Sequence, residues 1–260
     1  MKTSSERYQF QLLEQHHNVQ ATGNLYQTKQ KVIWHQHSTA QFLYAASGVI
    51  RVTTHQGCWV APSLRAIWIP ANTEHQLEIV KAAAVKSLLI TEQYQQSHLP
   101  TQCQVITVSS LLREIVLHCH SQEWPVDAPQ NQRLIEVFFD QIKLMSVEPL
   151  LYPKSSHPKI KLIINHFLEQ PHVTTSIEHW ANNFHMSVRS LSRLFSKEMN
   201  MGYRQCRLQI RLIRAIELLA QNKSVTEVSY SLGFSNESNF IRLFKSAFGV
   251  TPKQYFNANC

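Results

Sequence analysis

Short runs of β-branched and aromatic residues fill the stretch between residues 30 and 92. They lie at 31–35, 41–45, 49–53, 66–69, 77–80 and 85–90, punctuated by Gly48, Gly57, Pro62, Pro70 and Asn72. Closely spaced runs of this kind predict a compact antiparallel sandwich or barrel. From residue 109 the period becomes helical. Leu112, Ile115, Val116 and Cys119 share one face of a helix over 109–122, and Leu134, Ile135, Phe138, Phe139 and Ile142 share one face of a second over 131–146. Pro149, Pro153 and Pro158, with Ser155 and Ser156, then break the pattern. This predicts a linker over 147–158 between a domain at 1–146 and another at 159–260. Ile160, Ile163, Ile164, Phe167 and Leu168 open the second domain with one apolar helix face. The predicted class is α+β: a small β-barrel followed by helices, then an all-α domain.

The helical part contains a weak repeat. Residues 177–187 slide by 48 onto 225–235, matching Ile177 with Val225, Trp180 with Val228, Phe184 with Leu232, Met186 with Phe234 and Ser187 with Ser235. One residue is inserted in the second copy, after which 191–195 lies over 240–244. Each copy reads as a short helix, a tight turn and a second helix. Gly233 sits where a turn between crossed helices needs positive φ, and His185 takes that place in the first copy. Ser187 and Ser235 stand at or near the caps of the second helices. Two helix-turn-helix units joined by a long helix over 203–221 follow from this pattern.

Charge sharpens the division. Residues 1–154 carry 12 Lys/Arg against 11 Asp/Glu, whereas residues 155–260 carry 13 against 6. The excess positive charge therefore sits with the helix-turn-helix units, which points to a polyanion partner. A hydrophobic fraction of 43% excludes whole-chain disorder. No run approaches the roughly 18 apolar residues of a membrane helix, and the first residues lack a secretory pattern. The five scattered cysteines form no CxxC, so a reducing cytoplasm is the expected compartment.

The residues from Ser187-Val188-Arg189 through Leu232-Gly233-Phe234-Ser235 to Phe248-Gly249-Val250-Thr251-Pro252 resemble the AraC/XylS family of bacterial transcription regulators over roughly 158–257. The resemblance implies a non-enzymatic, sequence-specific regulator of double-stranded DNA. It also implies a homodimer, with RNA polymerase as a partner if it activates. Leu191, Leu194 and Phe195 should face the core, leaving Arg189, Ser192 and Arg193 toward the major groove. In the second unit Phe240, Leu243 and Phe244 are core, and Glu237, Ser238, Asn239, Ile241 and Arg242 point outward. Arg can grip guanine, Asn adenine, Glu the cytosine amino group and Ile a thymine methyl. The alternative for any single arginine is a phosphate contact or a pairing with Glu198. On the joining helix, Arg204 and Arg207 read as phosphate binders. Arg211 and Arg214 read as structural, Arg214 through Glu217 at i+3. Leu208, Leu212, Ala215 and Leu219 form its expected core stripe.

The stretch from Trp34 to Glu78 resembles the small cupin barrel found in many regulators of this family. The positions matching cupin metal ligands are His35, His37, Gln41 and His75. Three imidazoles and an amide oxygen suit a divalent transition metal such as Zn, Ni, Fe or Mn. Gln41 stands where glutamate is usual, which removes a negative charge. A metal-free pocket for a small-molecule effector is the other reading, with Trp34, Tyr44, Trp59 and Trp68 as candidate lining or plain core. A metal-dependent cupin enzyme with a helical appendage is the competing function. Nothing beyond the candidate ligands resembles an acid/base pair for it.

Overall fold

The computed structural model describes residues 19–91, 99–120, 129–148 and 150–257. Pro149, Cys260, the chain start and the end of the first expected helix at 121–122 lie outside them. The strands are β1 (Val19–Tyr26), β2 (Lys31–His35), β3 (Ala40–Ala45), β4 (Val49–Thr54), β5 (Cys58–Pro62), β6 (Arg65–Ile69), β7 (His75–Lys81), β8 (Ala83–Ile90) and β9 (Gln104–Thr107). Helices α1 (Ser110–Cys119) and α2 (Pro129–Leu144) follow, then the short strands β10 (Val147–Glu148) and β11 (Leu151–Tyr152). Two antiparallel sheets result. One runs β1-β8-β3-β6-β9-β10 and the other β11-β5-β4-β7-β2.

Strand β3 explains why the first sheet is covered on both faces. Its Leu43 and Ala45 point between the sheets, while Phe42 and Tyr44 point outward. The outward residues would be exposed without a cover, and α1 and α2 supply it. Leu112, Ile115 and Val116 of α1 and Ile135, Phe138 and Phe139 of α2 pack onto Phe42, Tyr44 and Trp68. Phe42 and Phe138 meet edge to face at 5.1 Å. The helices thus close the sandwich, leaving Leu111, Val137 and Leu144 exposed.

The segment expected as a linker is structured in its first half. Val147 and Glu148 pair with Ile106 and Val105, and Leu151 and Tyr152 with Trp59 and Cys58. Leu150 and Tyr152 are buried. Their apolar side chains stitch the segment onto both sheets, and residues 153–157 run free of regular structure before the next helix.

The helical domain comprises α3 (Pro158–Glu169), α4 (Ile177–Asn183), α5 (Val188–Met199), α6 (Tyr203–Ala220), α7 (Val225–Ser231), α8 (Glu237–Phe248) and α9 (Pro252–Asn257). The repeat is visible in the caps. Ser176 accepts from His179 N and Ser224 from Glu227 N, 48 residues apart. Ser187 caps α5 through Ser190 N. In the second unit the inserted residue Asn236, rather than Ser235, caps α8 through Asn239 N at 2.8 Å. His185 and Gly233 both take positive φ, 52° and 69°.

Helix α6 is buried on more sides than its expected stripe. Leu212 and Ala215 are core, but Leu208 and Leu219 are half-buried, and Tyr203, Cys206, Ile210, Ile213 and Ile216 join the core. The reason is position: α6 packs between both helix-turn-helix units and also against β5 and β11. One apolar core therefore continues from the sandwich into the helical domain. Polar ties reinforce the junction. Gln209 Nε2 donates to Leu151 O at 2.7 Å, Lys81 Nζ to Asn222 Oδ1 at 3.2 Å, and Tyr255 Oη to Glu148 Oε2 at 2.6 Å.

Candidate functional site

Two surfaces gather the chemistry that the sequence singles out. The first is the outer face of α5 and α8. On α5, Leu191, Phe195 and Met199 are buried, which turns Arg189 and Arg193 outward and leaves Ser192 and Leu194 half-buried. Neither arginine has a side-chain partner among the described residues. Glu198, the alternative partner, lies 3.5 Å from Ser155 Oγ instead. On α8, Phe240 and Phe244 are buried, while Ser238 and Arg242 are exposed and Glu237, Asn239, Ile241 and Leu243 are half-buried. This face is internally bonded. Thr226 Oγ1 donates to Glu237, Arg242 Nη2 donates to Asn239 Oδ1 at 2.9 Å, and Asn239 Nδ2 donates to Ser235 Oγ at 3.3 Å. These ties have no local sequence signal, since Glu237, Asn239 and Arg242 read only as separate outward positions.

The arginines of α6 divide. Arg204 is exposed. Arg207 is turned partly inward, with Nε and Nη2 buried and unbonded among the described residues. Of the two expected phosphate binders, only Arg204 stands fully at the surface. Arg211 is structural: its Nε donates to Leu232 O at 2.7 Å and its guanidinium lies 3.8 Å over the Phe234 ring. Burial lowers its pKa to about 10, with Arg207 adding to the effect. Arg214 pairs with Glu217 at 2.6 Å, the i+3 contact its spacing suggests.

The second surface is a histidine cluster at one end of the sandwich. His35 ends β2 and sits opposite His75, which starts β7. His37 follows in the loop, two residues beyond the end of the strand. The ring centroids are 4.3 Å apart for His35 and His75, 5.3 Å for His37 and His75, and 6.0 Å for His35 and His37. Their candidate ligand atoms all lie within 4.8 Å of one another.

The three rings are oriented alike. Nδ1 of His35, His37 and His75 faces Ile33 O, Thr39 O and Thr73 O at 2.8, 2.7 and 2.8 Å. A backbone carbonyl on Nδ1 fixes the proton there and gives the lone pair to Nε2, the tautomer that metal-binding imidazoles use. Gln41 is buried on β3, with Nε2 donating to Ser87 Oγ at 3.1 Å and Oε1 turned to His37 Nε2 at 3.4 Å. Two lone-pair atoms so placed accommodate a cation between them. Burial also favours neutral rings: it lowers the His75 pKa to about 4, against the raising effect of Thr73, and lowers that of His37. Of the candidate pocket aromatics, Tyr44, Trp59 and Trp68 are core. Trp34 is exposed and stacks on His55 at 5.2 Å.

A family model described as a helix-turn-helix domain matches residues 180–258. The chain is 34% identical over 222 residues to the HTH-type transcriptional regulator NimR of Escherichia coli strain K12, spanning 85% of this chain and 81% of that protein. It is 36% identical over 104 residues to the HTH-type transcriptional regulator ArgR of Pseudomonas aeruginosa, spanning 38% of this chain and 31% of that protein. Among solved structures, ToxT from Vibrio cholerae aligns over 92% of this chain and 98% of its own, with 11% identity and a TM-score of 0.38.

Proposed function

The chain belongs to the AraC/XylS family of transcription regulators, and from that premise we propose that α5 and α8 read successive major grooves of one duplex while the sandwich tunes that binding. The carrying observation is the pair of capped helices, each buried on its phenylalanine side and polar on the other. Second helices of helix-turn-helix units present their outward residues to base edges. Arg189 and Arg193 on α5, and Asn239 and Arg242 on α8, are the proposed base readers. Arg204 is the proposed phosphate contact. Helix α6 is about 27 Å long at 1.5 Å per residue. Major-groove faces on straight DNA repeat at about 34 Å, so engagement of both units bends the site toward the protein.

The effector reading rests on the histidine cluster. Three imidazoles anchored through Nδ1, with the Gln41 amide beside them, fit one divalent transition ion bound through Nε2. His35, His37 and His75 would hold it and Gln41 would complete the set. A regulator is favoured over a metal-dependent enzyme because the relatives carry regulator names over most of this chain's length. Homodimerisation through the exposed residues of α1 and α2 belongs to the same reading. Among the described residues no helix is long and apolar enough to cross a membrane.

Footprinting of the full chain on the DNA upstream of its neighbouring gene tests the function. Protection of two segments about one helical turn apart supports it. Uniform, sequence-independent protection would refute it.

A further inference from the structure

We propose that the cleft between the two domains is a binding site for a small, polar organic anion, separate from the histidine cluster. The cleft is half open to solvent and has a volume of about 570 Å³. Its walls come from three places: His55 and Gln56 in the β4–β5 turn, residues 153–156 of the connecting segment, and the face of α3 that carries Lys161 and Asn165. Among the described residues no carboxylate lines it. Of the nearby acids, Glu74 is engaged by His55 Nε2 at 2.6 Å and Glu198 Oε2 accepts from Ser155 Oγ at 3.5 Å.

The two lysines of the cleft, Lys154 and Lys161, therefore have no carboxylate partner among the described residues. Lys154 Nζ donates to His55 O at 3.1 Å, which leaves further ammonium N–H groups for a ligand. Lys161 has no side-chain partner among the described residues. A concave wall carrying two cations and no acid concentrates anions. The remaining lining decides the body of the ligand. Only Pro153, Ile164 and Leu168 lack a side-chain donor. Gln56, Ser156 and Asn165 suit hydroxyl and carbonyl groups, so a polyhydroxy body fits better than a hydrocarbon one. The anionic head is a carboxylate or a phosphate ester, either of which accepts from lysine. Because both domains build the walls, such a ligand binds their docked arrangement and stabilises it.

The test is calorimetric titration of the full chain, in the presence of a chelator, with gluconate, glucose 6-phosphate and neutral glucose. At least one of the two anions should saturate at one per chain, with glucose about tenfold weaker or worse, and the anion that binds identifies the head group. Lys154→Gln and Lys161→Gln should each weaken that anion about tenfold, the worth of one charge-assisted hydrogen bond. Lys143→Gln, on α2, should leave it unchanged. Both cleft lysines are exposed, so these variants should fold, and matching thermal melts would check that. Saturation by neither anion, equal binding of glucose, or wild-type affinity in both lysine variants would overturn the proposal. A loss of duplex binding in the lysine variants, with anion binding intact, would assign the surface to DNA and overturn it too.

Discussion

Arg51 of the sandwich reaches across the domain boundary to Glu217 of α6, a carboxylate with no exposed surface. The other Glu217 oxygen is held by Arg214, and Arg51 also binds Glu78 of β7 at 2.9 Å. Burial alone would lower the Arg51 pKa, but the Glu217 charge overrides it and the net shift is upward. Arg51→Ala would leave the buried carboxylate with one partner. Breaking a buried pair costs about 3–5 kcal/mol. Arg51 is 23% exposed and Arg214 remains, so about 1–3 kcal/mol is expected here. Urea unfolding measures it, and a change within about 0.5 kcal/mol would show that the pair does not hold the domains together.

Arg189→Ala should weaken operator binding by about 1–3 kcal/mol and relax preference at one base pair. Arg204→Ala should instead weaken all duplexes alike and lower the salt slope by about one. Competition binding with single-base operator variants separates the two. An equal loss on every sequence for Arg189→Ala would make it a phosphate contact.

The two turns should respond oppositely to substitution. A Cβ on Gly233 would lie 2.4 Å from His172 O, at a φ of 69° that side chains avoid. Gly233→Ala should destabilise the helical domain by more than about 1 kcal/mol. His185 already sits at φ 52°, where a non-glycine residue costs about 1–2 kcal/mol. His185→Gly should therefore be neutral or stabilising, by up to about 1 kcal/mol. Thermal melts of the two variants moving in the same direction would contradict this account.

Acid should act through His75. Its native pKa is held at about 4 by burial, below the ordinary 6.5 that the unfolded chain recovers. The unfolded state thus binds the proton first. The stability this contributes is complete above about pH 6.5, declines as the pH falls toward 4, and is fully lost below 4. The amount is of order 3 kcal/mol. Unfolding at pH 7, 5.5 and 4 with a chelator present should show a smaller loss in His75→Gln than in the parent, since the carboxylate contributions are common to both. Identical pH slopes would remove His75 as the cause.

The sequence carried the helical domain further than the sandwich. Its signals there are local: Ser187 caps within three residues, and Gly233 marks a turn within one copy of the repeat. Six strand runs were legible from their β-branched and aromatic residues, whereas β1, β5 and β9 were not. Cys58-Trp59-Val60-Ala61-Pro62 is apolar throughout and ends in a proline that reads as punctuation. The sheet pairing of 147–152 was hidden by flanking prolines and depends on partners about 40 to 90 residues away. Glu217 was legible only as a partner for Arg214. Its complete burial comes from α6 packing against the sandwich, where its partner Arg51 lies 166 residues distant, a relation no local pattern contains. The histidine cluster was legible as a set of residues but not as three rings turned alike by backbone carbonyls.

The histidine cluster and Arg51, the partner of Glu217, share one sheet, and that placement yields the final prediction. His75 and Glu78 lie on β7, and Glu78 binds Arg51 on β4, which holds α6. Zinc dialysed into the full chain should reach about one ion per chain, and His37→Ala should lose it. Removing the ion should change operator affinity only if it binds the regulator's two conformations unequally. With transmission through the sheet, Arg51→Ala should keep both the zinc and the operator but lose the difference between loaded and stripped protein. Equal operator affinity for loaded and stripped parent protein would make the ion structural. A response that survives in Arg51→Ala would route the coupling elsewhere, through the continuous apolar core beneath α6 or through the polar ties of Gln209, Lys81 and Tyr255 across the junction.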